Sequence, residues 1–311
     1  MPSVLVVEDS TTDRRVVGFL LKRAGGWEVE YATHGREAIE KIEHSRFDLM
    51  LTDLVMPAMN GLELVTAVRQ KRPGVPVILM TSRGNEGIAM LALRAGAVNY
   101  IPKRLLPRQL VDIVTRVMSL VARPRANGLE PGSVSDFHCA LSLKNDTQAL
   151  RAAIAYVQES ILMSGLCDVG ECTRVGVALY EALWNALCHG NLEMGPTPGV
   201  EAEKEYAAMF AHRRKIPPYA HRSLHLTVQV TPQQGIFTVR DEGLGFDPGL
   251  LPAPADLSPL EKGVGRGVVL MRMFMDDITF DHGGRQVTLV KRRNGAPQGP
   301  TGQAPDHARS A

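Results

Sequence analysis

Cysteine is scarce in this chain of 311 residues: there are four, Cys139, Cys167, Cys172 and Cys188, all in the second half and with no C-x-x-C pair. That spacing signals neither a disulfide framework nor a zinc site, and reduced, buried thiols are the plainer expectation. A surplus of one charge is also lacking. Lys and Arg number 35 against 33 Asp and Glu, a formal net charge of +2, so electrostatics gives no reason to expect nucleic acid or an anionic membrane as the main partner. No stretch nears the ~20 apolar residues of a membrane span, and the start, MPSVLVVEDS, has no basic n-region. These absences lead to the expectation of a cytoplasmic protein.

What is present suits two domains, since 311 residues with 44% hydrophobic content can bury two cores of ordinary size. Through about residue 122, short apolar runs at 4–7, 29–32, 48–54, 75–81 and 97–101 alternate with helical patterns near 12–24, 35–45, 61–71, 86–95 and 107–121. This alternation predicts an α/β doubly wound parallel sheet of five strands, whose ligands gather at the carboxyl ends of the strands. The apolar period then lapses in RPRANGLEPGSVSD, residues 123–136, which reads as a linker. From Phe137 an α+β domain with a mixed sheet is expected to about residue 293. It has a strand at 137–143, a helix at 146–164, a long helix holding EALWNALCHGN, strands at 224–231 and 235–241, a helix at 266–276, and a closing pair turning at Gly283 and Gly284. Residues from about 195 to 222 read as a charged insertion with a short helix, and the Gly- and Pro-rich stretch 294–311 as disorder.

Each strand end of the first domain delivers a polar residue: Glu8 and Asp9, Asp53, Thr81 and Lys103. Three carboxylates in one pocket repel unless a hard cation sits among them, and Mg²⁺ accepts such oxygens while keeping waters that a phosphate can replace. With MPAMNG at 56–61, residues 1–122 resemble the receiver domain of two-component response regulators. The resemblance implies that Asp53 takes a phosphoryl group from a histidine kinase or phosphotransfer protein, with Glu8, Asp9 and Asp53 holding Mg²⁺. It implies also that Thr81 and Lys103 meet the phosphoryl oxygens and that Tyr100 is a switch aromatic. One departure is Arg104, which stands where the family has proline.

In EALWNALCHGN, Glu181, Asn185 and His189 recur at i, i+4 and i+8 and so stack on one helical face. Downstream lie DEGLGFD at 241–247, with Asp241, Gly243 and Gly245, and EKGVGRGVVL at 261–270, with Lys262, Gly263, Gly265, Arg266 and Gly267. Glycines so spaced let backbone amides approach a ligand, and amides running into a helix N-terminus favour phosphate. The order E-x-x-x-N, D-x-G-x-G, G-x-G-x-G resembles the ATP-binding fold shared by histidine kinases, gyrase, Hsp90 and anti-sigma serine kinases. The resemblance implies Asn185 as a Mg²⁺ ligand, Glu181 as the group that positions or deprotonates an attacking hydroxyl, and Asp241 as acceptor for the adenine amine of ATP. His189 can pack or cap instead, and either Lys262 or Arg266 can meet the γ-phosphate.

About 15 residues separate the two domains, too few for the helical hairpin that carries a histidine kinase's phosphoacceptor, and only a short tail follows residue 293. The anti-sigma serine kinase type is therefore the nearest resemblance. It implies a receiver-controlled kinase acting on a serine of a STAS-domain antagonist, with a sigma factor as a further partner and a homodimer compatible with both families. The alternative is a non-catalytic module that sequesters a protein when ATP is bound. A DNA-binding output is disfavoured, because no helix-turn-helix pattern follows residue 122.

Overall fold

The computed structural model describes residues 1–82, 86–121, 131–195, 203–251 and 266–293. Strands β1 (Ser3–Val7), β2 (Glu28–Ala32), β3 (Leu49–Asp53), β4 (Val77–Thr81) and β5 (Asn99–Pro102) form a parallel sheet in the order β2-β1-β3-β4-β5. Every residue of β3, β4 and β5 is buried, which is why these strands read in sequence as continuous apolar runs. Helices α1 (Thr11–Ala24) and α5 (Leu106–Leu120) pack on one face through Val17, Leu21, Leu110, Ile113 and Val117 against Val4, Val6, Leu51 and Ile78. On the other face lie α2 (Gly35–His44), α3 (Gly61–Lys71) and α4 (Glu86–Ala95). The turn of α3 is set by a capping box in which Asn60 and Glu63 exchange side-chain and backbone bonds.

The second unit is built on β6 (Phe137–Lys144), β7 (Ser223–Val230), β8 (Gln234–Arg240), β9 (Asp277–Asp281) and β10 (Gln286–Arg292), in the order β6-β7-β8-β10-β9. All four pairings are antiparallel, where the sequence reading expects a mixed sheet. Helices α6 (Thr147–Ser164), α7 (Val169–Asn185) and a third at Glu203–Arg213 lie between β6 and β7; a connection of that length can return the chain in either direction, and here Phe137 pairs with Val230 and Lys144 with Ser223, so β7 runs back along β6. Alternating burial along β7 and β10 leaves one face covered by α6, α7 and α9 (Arg266–Phe274). Gly283 and Gly284 close the β9–β10 hairpin at φ 64° and 79°, a region that costs glycine nothing.

Helix α7 is buried almost all round and is capped by Asp168, whose carboxylate accepts from Glu171 N. It continues into a π-helical segment, Ala186–Asn191. Within the 195–222 segment, α8 (Glu203–Arg213) packs Phe210 on Trp184 of α7, ring centroids 5.7 Å apart. Residues 122–130, which include most of the sequence-predicted linker, and the 294–311 tail lie outside the described residues. Among the described residues no helix is long and apolar enough to cross a membrane.

The two units share a contact at the β5 edge of the first sheet. Gln158 Nε2 of α6 donates to the Leu120 carbonyl at the end of α5 (2.8 Å), and Arg69 of α3 meets Glu171 of α7 (3.4 Å). The hydrophobic core on the α2–α4 side of the first sheet runs without a break into the core beneath α7.

Candidate functional site

Parallel strands bring their carboxyl ends to one edge, and there Glu8, Asp9, Asp53, Thr81 and Lys103 converge. Glu8, Asp53 and Thr81 are buried; Asp9 faces out. Lys103 lies in a short 3₁₀ turn directly after β5 and sends Nζ to Asp13 (2.7 Å), Glu8 (2.8 Å) and Asp53 (3.2 Å). Burial raises the Glu8 carboxyl to about 6, with the Asp53 charge adding to the rise and Lys103 opposing it. Burial also raises Asp53 above the usual carboxylate range against the pull of Lys103. Burial pulls the Lys103 ammonium down, but Asp13, Glu8 and Asp53 together outweigh it and hold it above the ordinary lysine value.

One lysine thus balances a cluster that carries more negative charge than it can neutralise. Oxygens of Glu8, Asp9 and Asp53 lie within 4.8 Å of one another, a donor set of hard oxygens that fits a divalent cation such as Mg²⁺. The Lys103–Arg104 peptide is trans, so the lysine reaches the pocket without a proline behind it.

On α7 Glu181 is buried and Asn185, one turn on, is half-buried. The π-helical segment breaks the α repeat after Asn185, because its wider turn rotates later residues off the line. His189 accordingly ends exposed, with Nδ1 2.9 Å from the Met194 carbonyl, and leaves the polar stripe that the sequence spacing predicts. Glu181 and Asn185 remain in register.

The DEGLGFD loop meets the end of this helix by backbone packing. A Cβ on Gly243 would stand 2.2 Å from the Gly190 carbonyl, and a Cβ on Gly190 2.3 Å from Asp241 Cγ, so both positions require glycine. Gly245 turns the loop at φ 81°. Asp241 is buried, its carboxyl raised by burial, and its Oδ1 accepts from Gly243 N at 2.8 Å. A buried carboxylate at this loop fits an acceptor for an amine.

Asn191, fully buried, holds the loop in place: its amide donates to Asn145 Oδ1 and its carbonyl oxygen accepts from Glu242 N, both at 2.8 Å. Lys262, Gly263 and Gly265 lie outside the described residues. Gly267, in the first turn of α9, sits against Glu181, where a Cβ would stand 2.6 Å from Oε2. The structure therefore brings Glu181, Arg266 and Gly267 together, and joins Asp241 and Gly243 to the far end of the same helix.

Three participants were missed by reading along the chain. Asp13 gives Lys103 its shortest ion pair. Asn191 had a signal, an amide at the end of an apolar stretch with nothing local to satisfy it. Arg116 on α5 had none: its Nη1 donates to Glu181 Oε1 at 2.9 Å across 65 positions of chain.

The structure thus holds a carboxylate and lysine pocket at the strand ends of one domain and a carboxylate, asparagine and glycine cleft on α7 of the other. Residues 4–115 match the family of the response regulator receiver domain, and residues 143–291 match the histidine kinase-like ATPase domain. Chemotaxis protein CheY1 of Helicobacter pylori is 41% identical over 112 residues, 35% of this chain and 90% of that protein. Chemotaxis protein CheY of Thermotoga maritima is 30% identical over 114 residues, 37% of this chain and 95% of that protein. Among solved structures, chemotaxis protein CheY4 of Vibrio cholerae shares 35% identity over 37% of this chain and 98% of its own, with a TM-score of 0.35. The chain belongs to the response regulator family, with a histidine kinase-like ATPase domain following its receiver.

Proposed function

We propose that this is a cytoplasmic response regulator whose receiver, residues 1–122, governs a protein serine kinase in residues 137–293, joined by the linker 123–136. Asp53 accepts the phosphoryl group from a histidine kinase or phosphotransfer protein, Glu8, Asp9 and Asp53 hold Mg²⁺, and Thr81 and Lys103 receive the phosphoryl oxygens, with Tyr100 as the responding aromatic. In the second domain Asp241 accepts from the adenine amine, Asn185 holds a second Mg²⁺, and Gly243, Gly245, Gly263, Gly265 and Gly267 let backbone approach ATP. Bound Mg²⁺ offsets phosphate charge. The substrate serine Oγ bonds to the γ-phosphorus and yields its proton to Glu181, while the bond to the bridging oxygen breaks and ADP leaves. Arg266 or Lys262 supplies positive charge to the transferring group.

The observation that carries this reading is Glu181 itself. A buried carboxylate set against the N-terminal turn of α9, one helical turn from Asn185, is placed where a hydroxyl and a phosphate can meet. The short spacer between domains favours a substrate carried on another protein, and the resemblance names a STAS-domain antagonist, with a sigma factor released or bound according to its phosphorylation. The test incubates the full chain with Mg²⁺, γ-labelled ATP and a STAS-domain protein encoded near it. Acid-stable label on serine, lost in Glu181→Gln, is the expected result. Retained ATP binding with no transfer to any STAS protein offered would sink the kinase reading in favour of the sequestering module.

A further inference from the structure

Two charged residues of the ATP domain are engaged by the receiver. Arg116 of α5 donates from Nη1 to Glu181 Oε1 at 2.9 Å, while its Nη2 holds Asp112 at 2.7 Å and its guanidinium lies over the Tyr180 ring, 5.1 Å from the centroid. Burial pulls the Arg116 guanidinium down, but Glu181 and Asp112 more than restore it, so this cation stays charged. Arg266, partly buried, donates from Nη1 to the Tyr100 carbonyl of β5 at 3.2 Å. A carboxylate whose Oε1 accepts from a guanidinium is turned toward the receiver and has less of its charge and fewer lone pairs left for a substrate hydroxyl, while the Gly267 backbone packs beside Oε2. An arginine spending an N–H on a receiver carbonyl is likewise turned away from a phosphate.

Both contacts lead back to the phosphoacceptor. Lys103, which reaches Asp53 at 3.2 Å, follows Tyr100 by three residues along β5 and its terminal turn. Helix α5, which carries Arg116, begins right after that turn. A phosphoryl group on Asp53 adds charge that Lys103 must follow, and the strand and helix that Lys103 anchors carry the two contacts.

We infer that the receiver is an inhibitory latch on the ATP site: before Asp53 is phosphorylated, Arg116 holds Glu181 and the Tyr100 carbonyl holds Arg266, and phosphorylation releases both. The inference rests on the roles proposed above for Asp53 and Glu181, and it adds the direction of control. Phosphorylation activates.

The test uses the full chain with and without Mg²⁺ and beryllofluoride, a phosphoryl mimic. Serine transfer is one readout. The other is the emission of Trp184, which stacks on Tyr180 with centroids 6.0 Å apart at 9°, followed in a Trp27→Phe background so that it is the one tryptophan. Arg116→Ala should raise unstimulated transfer about tenfold, within the range usual for coupling between sites, and should leave beryllofluoride little to add. In the chain with Arg116 intact, beryllofluoride should raise transfer and shift Trp184 emission as the guanidinium leaves Tyr180.

An Arg116→Ala chain that is folded by circular dichroism and binds ATP, yet transfers no faster than the unsubstituted one, would overturn the latch. So would an unchanged Trp184 emission on beryllofluoride, a measurement that needs no substitution at Arg116. If no serine is labelled under any condition but Trp184 responds with Arg116 present and not in Arg116→Ala, the latch stands and the kinase reading fails.

Discussion

The receiver pocket and the ATP pocket each place a buried acidic group at the centre, Asp53 in one and Glu181 in the other, but they neutralise it differently. Asp53 meets Lys103 from its own sheet, 50 positions on, together with Glu8 and Asp13. Glu181 meets Arg116, which belongs to the other domain. A site completed within its own fold is ready whenever that fold forms. A site whose carboxylate is matched from outside has a second condition attached, because breaking such a pair depends on where the neighbouring domain sits.

The sharpest way to separate the two sites is to remove each carboxylate. Under the kinase reading proposed above, Glu181→Gln should lower serine transfer by about 10²-fold or more, the range expected for a lost general base, with ATP affinity unchanged within a few-fold by equilibrium binding. Asp53→Ala should abolish labelling by a phosphodonor at the receiver yet leave ATP binding in place. Loss of ATP binding in Glu181→Gln would show that this carboxylate is structural, and the contrast would break.

Next in size is the non-local framework of the ATP pocket. Asn191→Ala removes one buried and one part-buried hydrogen bond and strands Asn145 Oδ1 and the Glu242 amide, which should cost about 2 kcal/mol in denaturant unfolding. Gly243→Ala forces a Cβ against the Gly190 carbonyl and should cost about 2 kcal/mol, with weakened ATP binding. Neither substitution should alter Asp53 labelling; if either does, the pockets share more structure than their contacts indicate.

The smallest effect is in the receiver and depends on pH. Burial raises Glu8 from 4.5 to about 6, so between these values the folded protein binds more protons than the unfolded chain, and stability falls as pH rises through that window. The charged form then costs about 2 kcal/mol at pH 7, a cost absent below pH 4.5. In chelator, Glu8→Gln should therefore be more stable than the unsubstituted protein at pH 7 and lose that advantage toward pH 4. An advantage that grew toward low pH would contradict the assigned direction.

Much of the architecture was legible in sequence because its causes are local. The apolar runs that became β3, β4 and β5 are buried on both faces, and the helical periods between them led to α1 through α5 at nearly the expected residues. The mixed sheet expected of the second domain is antiparallel throughout, since whether β7 runs with or against β6 depends on how the chain is routed across the 78 residues between the two strands, not on any pattern inside either strand. His189, left open in sequence to pack or cap, lies off the stripe for a related reason: i, i+4 arithmetic assumes an unbroken α-helix, and the π-helical segment begins at Ala186. The glycines at 190, 243 and 267 could be noted in sequence, but which backbone or carboxylate each admits is known from the packed structure.

By itself the sequence determined the residue types and their order: carboxylates at strand ends, Glu181 and Asn185 one turn apart, a buried aspartate followed by glycines. Those follow from short-range periodicity and from the chemistry each side chain carries wherever it sits. Only the tertiary structure decided that Arg116 would face Glu181 and that the Tyr100 carbonyl would face Arg266. An ion pair or hydrogen bond between residues 65 or 166 positions apart leaves no trace in local spacing, because it exists only once two separately coded surfaces have been brought within 3 Å or so of each other by the packing of whole domains.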